Sequence, residues 1–310
     1  MSKYAIAPGF PRLNWNVPFV PSVLALAAPA QRLLWKLTPL PGGVRVSRFM
    51  VRGFQGLSVP VEVYSPPACP ADAPCLLYFH GGGFGFSGAP HHKRAACRYA
   101  LGAGCHVVLP DYHLLPRYPF PAAREDALAV YAQLAAGGRA LGITPARIAV
   151  GGDSAGGALA AYVCHLAAAR GLPAPCFQML IYPVTDGQMA CPSMEQYPDT
   201  PLWNARQNRR MWAMYLPAAL SPEERAEASP MEAPLPGQIP NAYVETAEFD
   251  CLREEGLTYA LRLMQAGAKV ELLETKGTIH GYDVFARHPI AKENTARRIQ
   301  ALRAAFQSKQ

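Results

Sequence analysis

A sharp turn between a strand and a helix is the feature of this sequence that most restricts its fold. The run GDSAG at Gly152–Gly156 follows the apolar stretch Arg147–Gly151 and leads into a helical pattern. Such a turn forces its central residue into strained dihedral angles and brings neighbouring backbones close together, so both flanking positions need glycine. We therefore expect a strand, a corner at Ser154 and a helix, which is the local arrangement of an α/β protein.

Short apolar runs alternate with helical patterns along the rest of the chain. This alternation predicts βαβ units and an α/β fold with a mostly parallel eight-stranded sheet and helices on both faces. The turn sequence Gly53–Gly56 separates the first two runs and predicts an antiparallel hairpin there. The predicted strands are Arg45–Arg52, Leu57–Tyr64, Cys75–His80, His106–Pro110, Arg147–Gly151, Phe177–Tyr182, Asn241–Ala247 and Lys269–Glu274.

Two segments are too long to be plain connections between these elements. One comprises residues 1–44, and the other runs from about 187 to 236 and contains Trp203 and Met211. We expect both to form a helical cap over the carboxyl ends of the strands, where open α/β sheets bind ligands. The chain is thus predicted to have an N-terminal cap segment, 1–44, and a catalytic α/β domain, 45–310, with a cap insertion at about 187–236.

The corner position determines what Ser154 can do. It projects the hydroxyl above the sheet edge and directs the amino end of the next helix at developing negative charge. We predict that Ser154 is a nucleophile. A serine after a glycine turn can instead simply cap a helix, but the strand before it and the helix after it favour the nucleophile.

Three consecutive glycines follow the third predicted strand, in the run HGGGF at His80–Phe84. Without side chains, their backbone N–H groups can point into a cavity and donate to an oxyanion at about 2.7–3.1 Å. A glycine turn can also bind phosphate, but this one lacks the Lys-Ser or Lys-Thr of a P-loop and does not match GxGxxG. The run therefore indicates an oxyanion hole.

A serine nucleophile needs a base, and the base needs an acid that fixes its tautomer. The order along the chain for this type of turn is serine, acid, histidine. Three histidines follow Ser154. His165 belongs to the following helix, and we expect it to pack or to face solvent. His288 precedes a proline in a polar stretch, and we expect it to be exposed. His280 lies in a glycine-flanked loop after a strand, and we predict that it is the base.

The predicted acid is Asp250, which follows the seventh predicted strand and precedes a helix. Glu248 is a rival by position, and Glu254 and Glu255 fall in the first helical turn, where the helix dipole alone explains them. Asp186 is a further rival, because some proteins of this type place the acid on an earlier strand.

Together these motifs resemble one family, the hormone-sensitive-lipase-like esterases, also called bacterial family IV carboxylesterases, of the α/β-hydrolase superfamily. HGGGF and GDSAGG carry the resemblance. Three further segments are similar to family motifs: DYHLLP with PFPAA at Asp111–Pro116 and Pro119–Ala123, DCLREEG at Asp250–Gly256, and HGY at His280–Tyr282.

The resemblance implies an α/β-hydrolase fold and the hydrolysis of short- to medium-chain carboxylic esters through a serine acyl-enzyme, without a cofactor and without a metal. It also implies a triad of Ser154, Asp250 and His280, and oxyanion donors from the backbone of Gly82, Gly83 and Ala155. Amidase or acyltransferase activity with the same triad stays open, because pocket shape selects the leaving group. A receptor on the same fold that binds a ligand without turnover is a second alternative.

Charge and cysteine content restrict the partners. The net charge is +7, but the basic residues are scattered, so we expect a small ester as partner and no nucleic acid. No apolar stretch reaches the length of a membrane span, and Phe19–Ala30 is expected to be a packed helix rather than an export signal.

The eight cysteines contain no CxxC pair, which favours a reducing, cytoplasmic location. A monomer or a homodimer is expected.

Overall fold

One sheet of eight strands forms the centre of the molecule. The computed structural model describes residues 3–11, 16–70 and 72–308, and within this part the strand order is β1-β2-β4-β3-β5-β6-β7-β8. The strands are β1 (Arg45–Arg52), β2 (Ser58–Ser65), β3 (Ala73–Phe79), β4 (His106–Pro110), β5 (Ile143–Asp153), β6 (Gln178–Ile181), β7 (Ala242–Phe249) and β8 (Val270–Ile279).

The sheet is mostly parallel, as predicted. β1 and β2 form the antiparallel hairpin, and β2 also runs antiparallel to β4. The other neighbouring pairs are parallel. The carboxyl ends of β3, β5, β7 and β8 therefore meet at one edge of the sheet, which is where the segments that follow these strands come together.

Two strands, β5 and β8, are much longer than the sequence pattern predicts. β5 begins at Ile143, not Arg147, and continues through Asp153. β8 was predicted to end at Glu274, but it continues to Ile279, where it still pairs with Phe249 of β7. The polar residues of this extension conceal the strand in the sequence, and His280 consequently follows β8 directly.

Helices cover both faces of the sheet. The side chains of β3 alternate between two buried cores, with Leu77 in one and Leu76 in the other. Leu159 packs in the first core and Leu302 in the second. The helices are α1 (Pro21–Leu37), α2 (Pro90–Ala103), α3 (Ala122–Gly137), α4 (Ala155–Leu166), α5 (Ser193–Gln196), α6 (Ala205–Tyr215), α7 (Pro222–Glu227), α8 (Arg253–Gln265) and α9 (Pro289–Gln307).

The segment before β1 contains the helix α1. Residues 1–2 and 12–15 of the predicted cap segment 1–44 lie outside the described residues. Proline at the first position of α1 suits a helix start, because its missing N–H would be unpaired there. The ammonium group of Lys93 donates to the carbonyls of Trp35 and Thr38, both at 3.0 Å, and thereby holds the carboxyl end of α1 against α2.

The segment between β6 and β7 contains α5, α6 and α7. Asn204 caps α6 by accepting a hydrogen bond from the backbone N–H of Gln207, and Ser221 and Glu224 form a reciprocal capping box on α7. No helix in the described part of the chain is both long and apolar enough to cross a bilayer.

Candidate active site

Ser154 lies at a strained corner between β5 and α4. Its φ and ψ angles are 55° and −121°, a region of backbone conformation that residues other than glycine rarely adopt. A Cβ atom on Gly152 would lie 2.3 Å from the backbone of Gly156, and one on Gly156 would lie 2.0 Å from the carbonyl oxygen of Phe79. Both glycines are therefore required sterically, because the start of α4 touches β5 and β3 here.

His280 connects Ser154 to Asp250. Its Nε2 atom lies 2.9 Å from Oγ of Ser154, and its Nδ1 atom lies 2.7 Å from Oδ2 of Asp250. A carboxylate only accepts, so Nδ1–H donates to Asp250, which leaves the Nε2 lone pair to accept from the serine hydroxyl. All three side chains are buried. The structure thus brings together the three residues that the sequence predicted.

The backbone holds Asp250 in place. Its second oxygen, Oδ1, accepts from the N–H of Leu252 at 3.0 Å, just before α8 begins at Arg253. The carboxylate therefore accepts a hydrogen bond from the backbone just before α8 and also pairs with His280.

The rival acids pair with other groups. Asp186 accepts from the backbone of Gln188 and Ala190 within its own loop, at 2.9 and 2.8 Å. Glu248 accepts from Gly277, Glu254 from Ser193 and Glu255 from Thr185. Each of these carboxylates organises nearby backbone and none is hydrogen-bonded to a histidine within the described residues.

The other two histidines have structural roles. His165 is buried, with its Nε2 atom 2.7 Å from the hydroxyl of Tyr259, which fits the packing role expected for it. The expectation that His288 is exposed is wrong. It is buried because its ring stacks on Phe10 with centroids 3.6 Å apart, and its Nδ1 accepts from Ile290 at the start of α9.

The glycine run after β3 forms a loop, here called the oxyanion loop (residues 80–88), that turns back on itself. The carbonyl of Gly82 accepts from the N–H groups of Gly85 and Phe86, and Gly82 and Gly83 adopt φ angles of 119° and 61°. Their own N–H groups have no acceptor within the described residues. Ala155 is the first residue of α4, where an N–H lacks an intrahelical acceptor. All three are available to a bound oxyanion.

Apolar side chains from the two long segments contact this loop. A Cβ atom built on Gly83 would lie 2.7 Å from Trp203, 2.9 Å from Phe19 and 3.3 Å from Met211. The Trp203 ring also lies 6.1 Å from the His280 ring, centroid to centroid. Phe19 comes from the segment before α1, whereas Trp203 and Met211 come from the segment between β6 and β7. The surface above the oxyanion loop is therefore apolar.

Asp153, next to Ser154 in the chain, has buried partners that the local sequence pattern does not predict. Asp153 accepts from the hydroxyl of Tyr78 at 2.8 Å, and its other oxygen lies 3.2 Å from Nε2 of His92. Burial alone would raise the pKa of Asp153, but the charge and hydrogen bond of His92 lower it overall. The sequence did contain one signal for this cluster, the charged residue Asp153 inside the GDSAG run. A charged side chain that is buried there is expected to have a buried partner.

A further set of contacts lies behind His280. The ring of Tyr182 lies 4.6 Å from the His280 ring, and its hydroxyl donates to Asp283 at 2.6 Å. Arg298 of α9 donates to the same carboxylate at 2.6 Å and also pairs with the buried Glu245 of β7. This chain of contacts ties the imidazole to the sheet and to α9. Sequence spacing gives no signal for it, because the residues are far apart in the chain.

Within the part of the chain that the structure describes, no three His, Cys, Asp or Glu side chains are grouped so that they could hold a metal ion. The chemistry that this geometry offers is nucleophilic attack by a serine, with a histidine as base and backbone N–H groups as electrostatic stabilisers.

Known proteins are similar to this chain in sequence and in fold. Residues 76–284 match the family described as alpha/beta hydrolase fold. The carboxylesterase NlhH of Mycobacterium tuberculosis is 38% identical over 259 residues, which cover 82% of this chain and 81% of NlhH. An ethyl acetate hydrolase of Pseudomonas putida is 38% identical over 234 residues, which cover 73% of this chain and 72% of that protein.

A solved structure agrees with these relatives. The esterase LipW of Mycobacterium marinum superposes with a TM-score of 0.86 at 31% identity, and the match covers 94% of this chain and 93% of LipW. The resemblance drawn from the motifs is confirmed. The chain belongs to the α/β-hydrolase family, among its hormone-sensitive-lipase-like carboxylesterases.

Proposed function

We propose that this protein is a carboxylesterase that hydrolyses short- to medium-chain carboxylic esters, with Ser154 as nucleophile, His280 as base and Asp250 as acid. The observation that carries the proposal is the position of His280, 2.9 Å from the serine oxygen on one side and 2.7 Å from the carboxylate on the other. This arrangement lets the imidazole accept the serine proton while the carboxylate stabilises the imidazolium.

Acylation is the first half of the reaction. Nε2 of His280 takes the hydroxyl proton as Oγ of Ser154 attacks the ester carbonyl, and the carbonyl oxygen becomes an oxyanion. The N–H groups of Gly82, Gly83 and Ala155 stabilise that charge. His280 then gives the proton to the leaving alcohol as the carbon–oxygen bond breaks, and an acyl-serine remains.

Deacylation repeats these steps with water. His280 removes a proton from a water molecule as its oxygen attacks the acyl carbon, and the same N–H groups stabilise the second oxyanion. The proton returns to Oγ of Ser154 as the acyl bond breaks and the carboxylic acid leaves. Asp250 keeps the imidazole in one tautomer throughout, so that Nε2 always faces the reacting oxygen.

The proposed substrate class rests on the surroundings of the oxyanion loop. Phe19, Trp203 and Met211 supply an apolar surface with no charged group among them, which suits an uncharged ester. The ethyl acetate hydrolase relative is named for an ester with a two-carbon acyl group. We expect short acyl chains to be hydrolysed fastest, because these buried side chains leave little room beside Gly83.

The same contacts support a division of the chain into a cap and a catalytic domain. Residues 1–44 and about 187–236 form the cap, and the rest of 45–310 forms the catalytic domain. Phe19 from the first segment and Trp203 from the second meet edge to face at 5.6 Å above Gly83. The two segments thus act as one apolar wall of the substrate site.

A location in the reducing cytoplasm suits the cysteines. All eight are free, and Cys105 and Cys164 are examples whose burial raises the pKa of the thiol. The protein works as a monomer or a homodimer, and light scattering of the purified protein at micromolar concentration distinguishes the two.

The experiment that tests the function replaces the nucleophile. Ser154→Ala is expected to abolish p-nitrophenyl butyrate hydrolysis, whereas Ser47→Ala, at an exposed position on β1, leaves kcat/KM unchanged. Substantial turnover by pure, folded Ser154→Ala protein would contradict the proposal.

A parallel substrate panel distinguishes the related activities. Acetyl, butyryl, octanoyl and dodecanoyl p-nitrophenyl esters are compared with the matching anilides and with added alcohol acceptors. Faster turnover of anilides would identify an amidase, and transfer to alcohols an acyltransferase. Saturable ester binding without any turnover would identify a receptor.

A further inference from the structure

A cavity of about 550 Å³ opens beside the oxyanion loop, and neither Ser154, Asp250 nor His280 lines it. Its walls come from α1, the β1–β2 hairpin, the end of β4 and the residues His80, Ser87 and Gly88 of the oxyanion loop. This volume lies within the range of about 300–1,000 Å³ that small-molecule sites occupy. The reaction described above does not use the cavity.

A buried cation lines this cavity. The Lys93 side chain is only 6% exposed, and two of its three N–H donors bond the carbonyls of Trp35 and Thr38. No carboxylate in the described part of the chain forms an ion pair with it. Because an ammonium group has three donors, one stays available. The carbonyls at the carboxyl end of α1 offset this buried charge only in part, and an anionic ligand would offset it further.

The acidic residues of the cavity already have partners. Glu62 pairs with Arg48 at 2.8 Å, and Asp111 lies 3.7 Å from Arg32. Burial alone would raise the pKa of Glu62, but hydrogen bonds from Tyr64, Arg48 and Trp35 lower it, so the carboxylate stays charged.

The lysines therefore provide an excess of positive charge. Lys36 lines the same cavity from α1 and has no acidic partner among the residues that the structure describes. The hydroxyl of Ser87 is buried and makes no hydrogen bond within those residues, although it can donate one. Lys93, Lys36 and Ser87 thus offer donors to an anion.

Apolar side chains form the rest of the wall. Met50 on β1, Pro60 on β2, Leu109 on β4 and Trp35 on α1 line the same space, on the face of the sheet that also carries Glu62. Met50 is 58% exposed, so a ligand in the cavity could cover its side chain. A ligand that uses both surfaces has an anionic head and an apolar tail. The two carboxylates in the wall oppose a multiply charged head, which favours a single negative charge.

We propose that this cavity binds an amphipathic monocarboxylate, such as a medium-chain fatty acid, separately from the catalytic site. The carboxylate pairs with Lys93 and Lys36 and accepts from Ser87, and the alkyl chain lies against Met50 and Leu109. Acids of this class are also the products of ester hydrolysis, but the site itself does not depend on the proposed activity.

Titration calorimetry with sodium octanoate and the full-length protein tests the proposal. We expect saturable binding that Lys93→Met weakens about tenfold or more, because a charge-assisted hydrogen bond to a desolvated group is lost. Lys36→Glu, which reverses an exposed charge at the cavity, should weaken binding several-fold without disturbing the fold. The control Lys292→Met, at an exposed position on α9, should bind like the unmodified protein.

Two comparisons restrict the ligand class. 1-Octanol, which has the same tail without the charge, and inorganic phosphate, which has charge without a tail, should each bind at least tenfold more weakly than octanoate. Equal binding of either would overturn the assignment of an amphipathic anion.

The lysine variants also locate the ligand. Octanoate that binds in the catalytic site would respond to neither Lys93→Met nor Lys36→Glu, and that result, or no saturable binding at all, would overturn the proposal. If Lys93→Met unfolds, as a lower melting temperature would reveal, Lys36→Glu alone decides. Ester hydrolysis by the unmodified protein is measured separately, so failure of this site leaves the proposed function untouched.

Discussion

The Nδ1 atom of His280 lies 2.7 Å from Oδ2 of Asp250, whereas the rival Asp186 bonds only groups of its own loop. Asp250→Asn should therefore lower kcat for p-nitrophenyl butyrate by on the order of 10³–10⁴-fold, because the amide can stabilise the wrong imidazole tautomer. Asp186→Asn is the matched control and should keep near-normal kcat. The opposite ranking of the two variants would move the acid from Asp250 to Asp186.

The backbone of Gly83 gives a second prediction. A Cβ atom at this position would lie 2.7 Å from Trp203 and 2.9 Å from Phe19, and the φ of 61° disfavours any side chain. Gly83→Ala should displace an oxyanion donor and lower kcat by about 10²–10³-fold. Steady-state kinetics with p-nitrophenyl acetate and butyrate measure the change.

The control for this variant is Gly237→Ala, where an added Cβ has no atom within 4 Å and φ is ordinary. It should retain full activity. If Gly83→Ala also retained full activity, the N–H group of Gly83 would not be an oxyanion donor.

Local sequence patterns were sufficient to predict much of this molecule. The corner at Ser154 was predictable because its glycines have steric causes within a few residues of one another. His280 was predictable because few histidines follow Ser154 and only one of them lies beyond a strand end. The eight strands were predictable because their apolar runs alternate with helical patterns, although β8 continues to Ile279 through polar residues.

Contacts between distant parts of the chain were not predictable in this way. Asp153 meets His92 across 61 positions, and Tyr182 meets Asp283 across 101. Nothing in the local spacing of these residues encodes such pairs, because tertiary packing alone brings them together. The burial of His288 has the same origin, since Phe10, which stacks on it, comes from the opposite end of the chain.

Glu255 gives a prediction about stability. It is fully buried, which raises its pKa well above the usual range, and it accepts from the backbone N–H of Thr185 at 2.6 Å. Burial favours the uncharged form of this side chain, so Glu255→Gln, which is also uncharged, should change the free energy of unfolding by no more than about 1 kcal/mol.

Glu255→Ala is expected to behave differently. It leaves the buried N–H of Thr185 without an acceptor and creates a cavity, so it should cost about 2–4 kcal/mol. Urea unfolding at pH 7 measures both variants. A large loss for Glu255→Gln, similar to that for Glu255→Ala, would mean that the native side chain is ionised.

His165 links stability to acid. Burial lowers its pKa from 6.5 to about 3, so between these values the unfolded chain binds a proton that the folded protein excludes. Its contribution to stability is therefore complete above pH 6.5 and is lost progressively as the pH falls toward 3, by about 1.4 kcal/mol per pH unit.

His165→Gln, which does not titrate, should unfold with a shallower dependence on pH, as urea midpoints at pH 7.0, 5.5 and 4.5 would show. Tyr259→Phe removes the same hydrogen bond, 2.7 Å long, but keeps the imidazole, so it should be destabilised equally at each pH and keep the native slope. Parallel slopes for the native protein and His165→Gln would show that His165 does not stay neutral in the folded state.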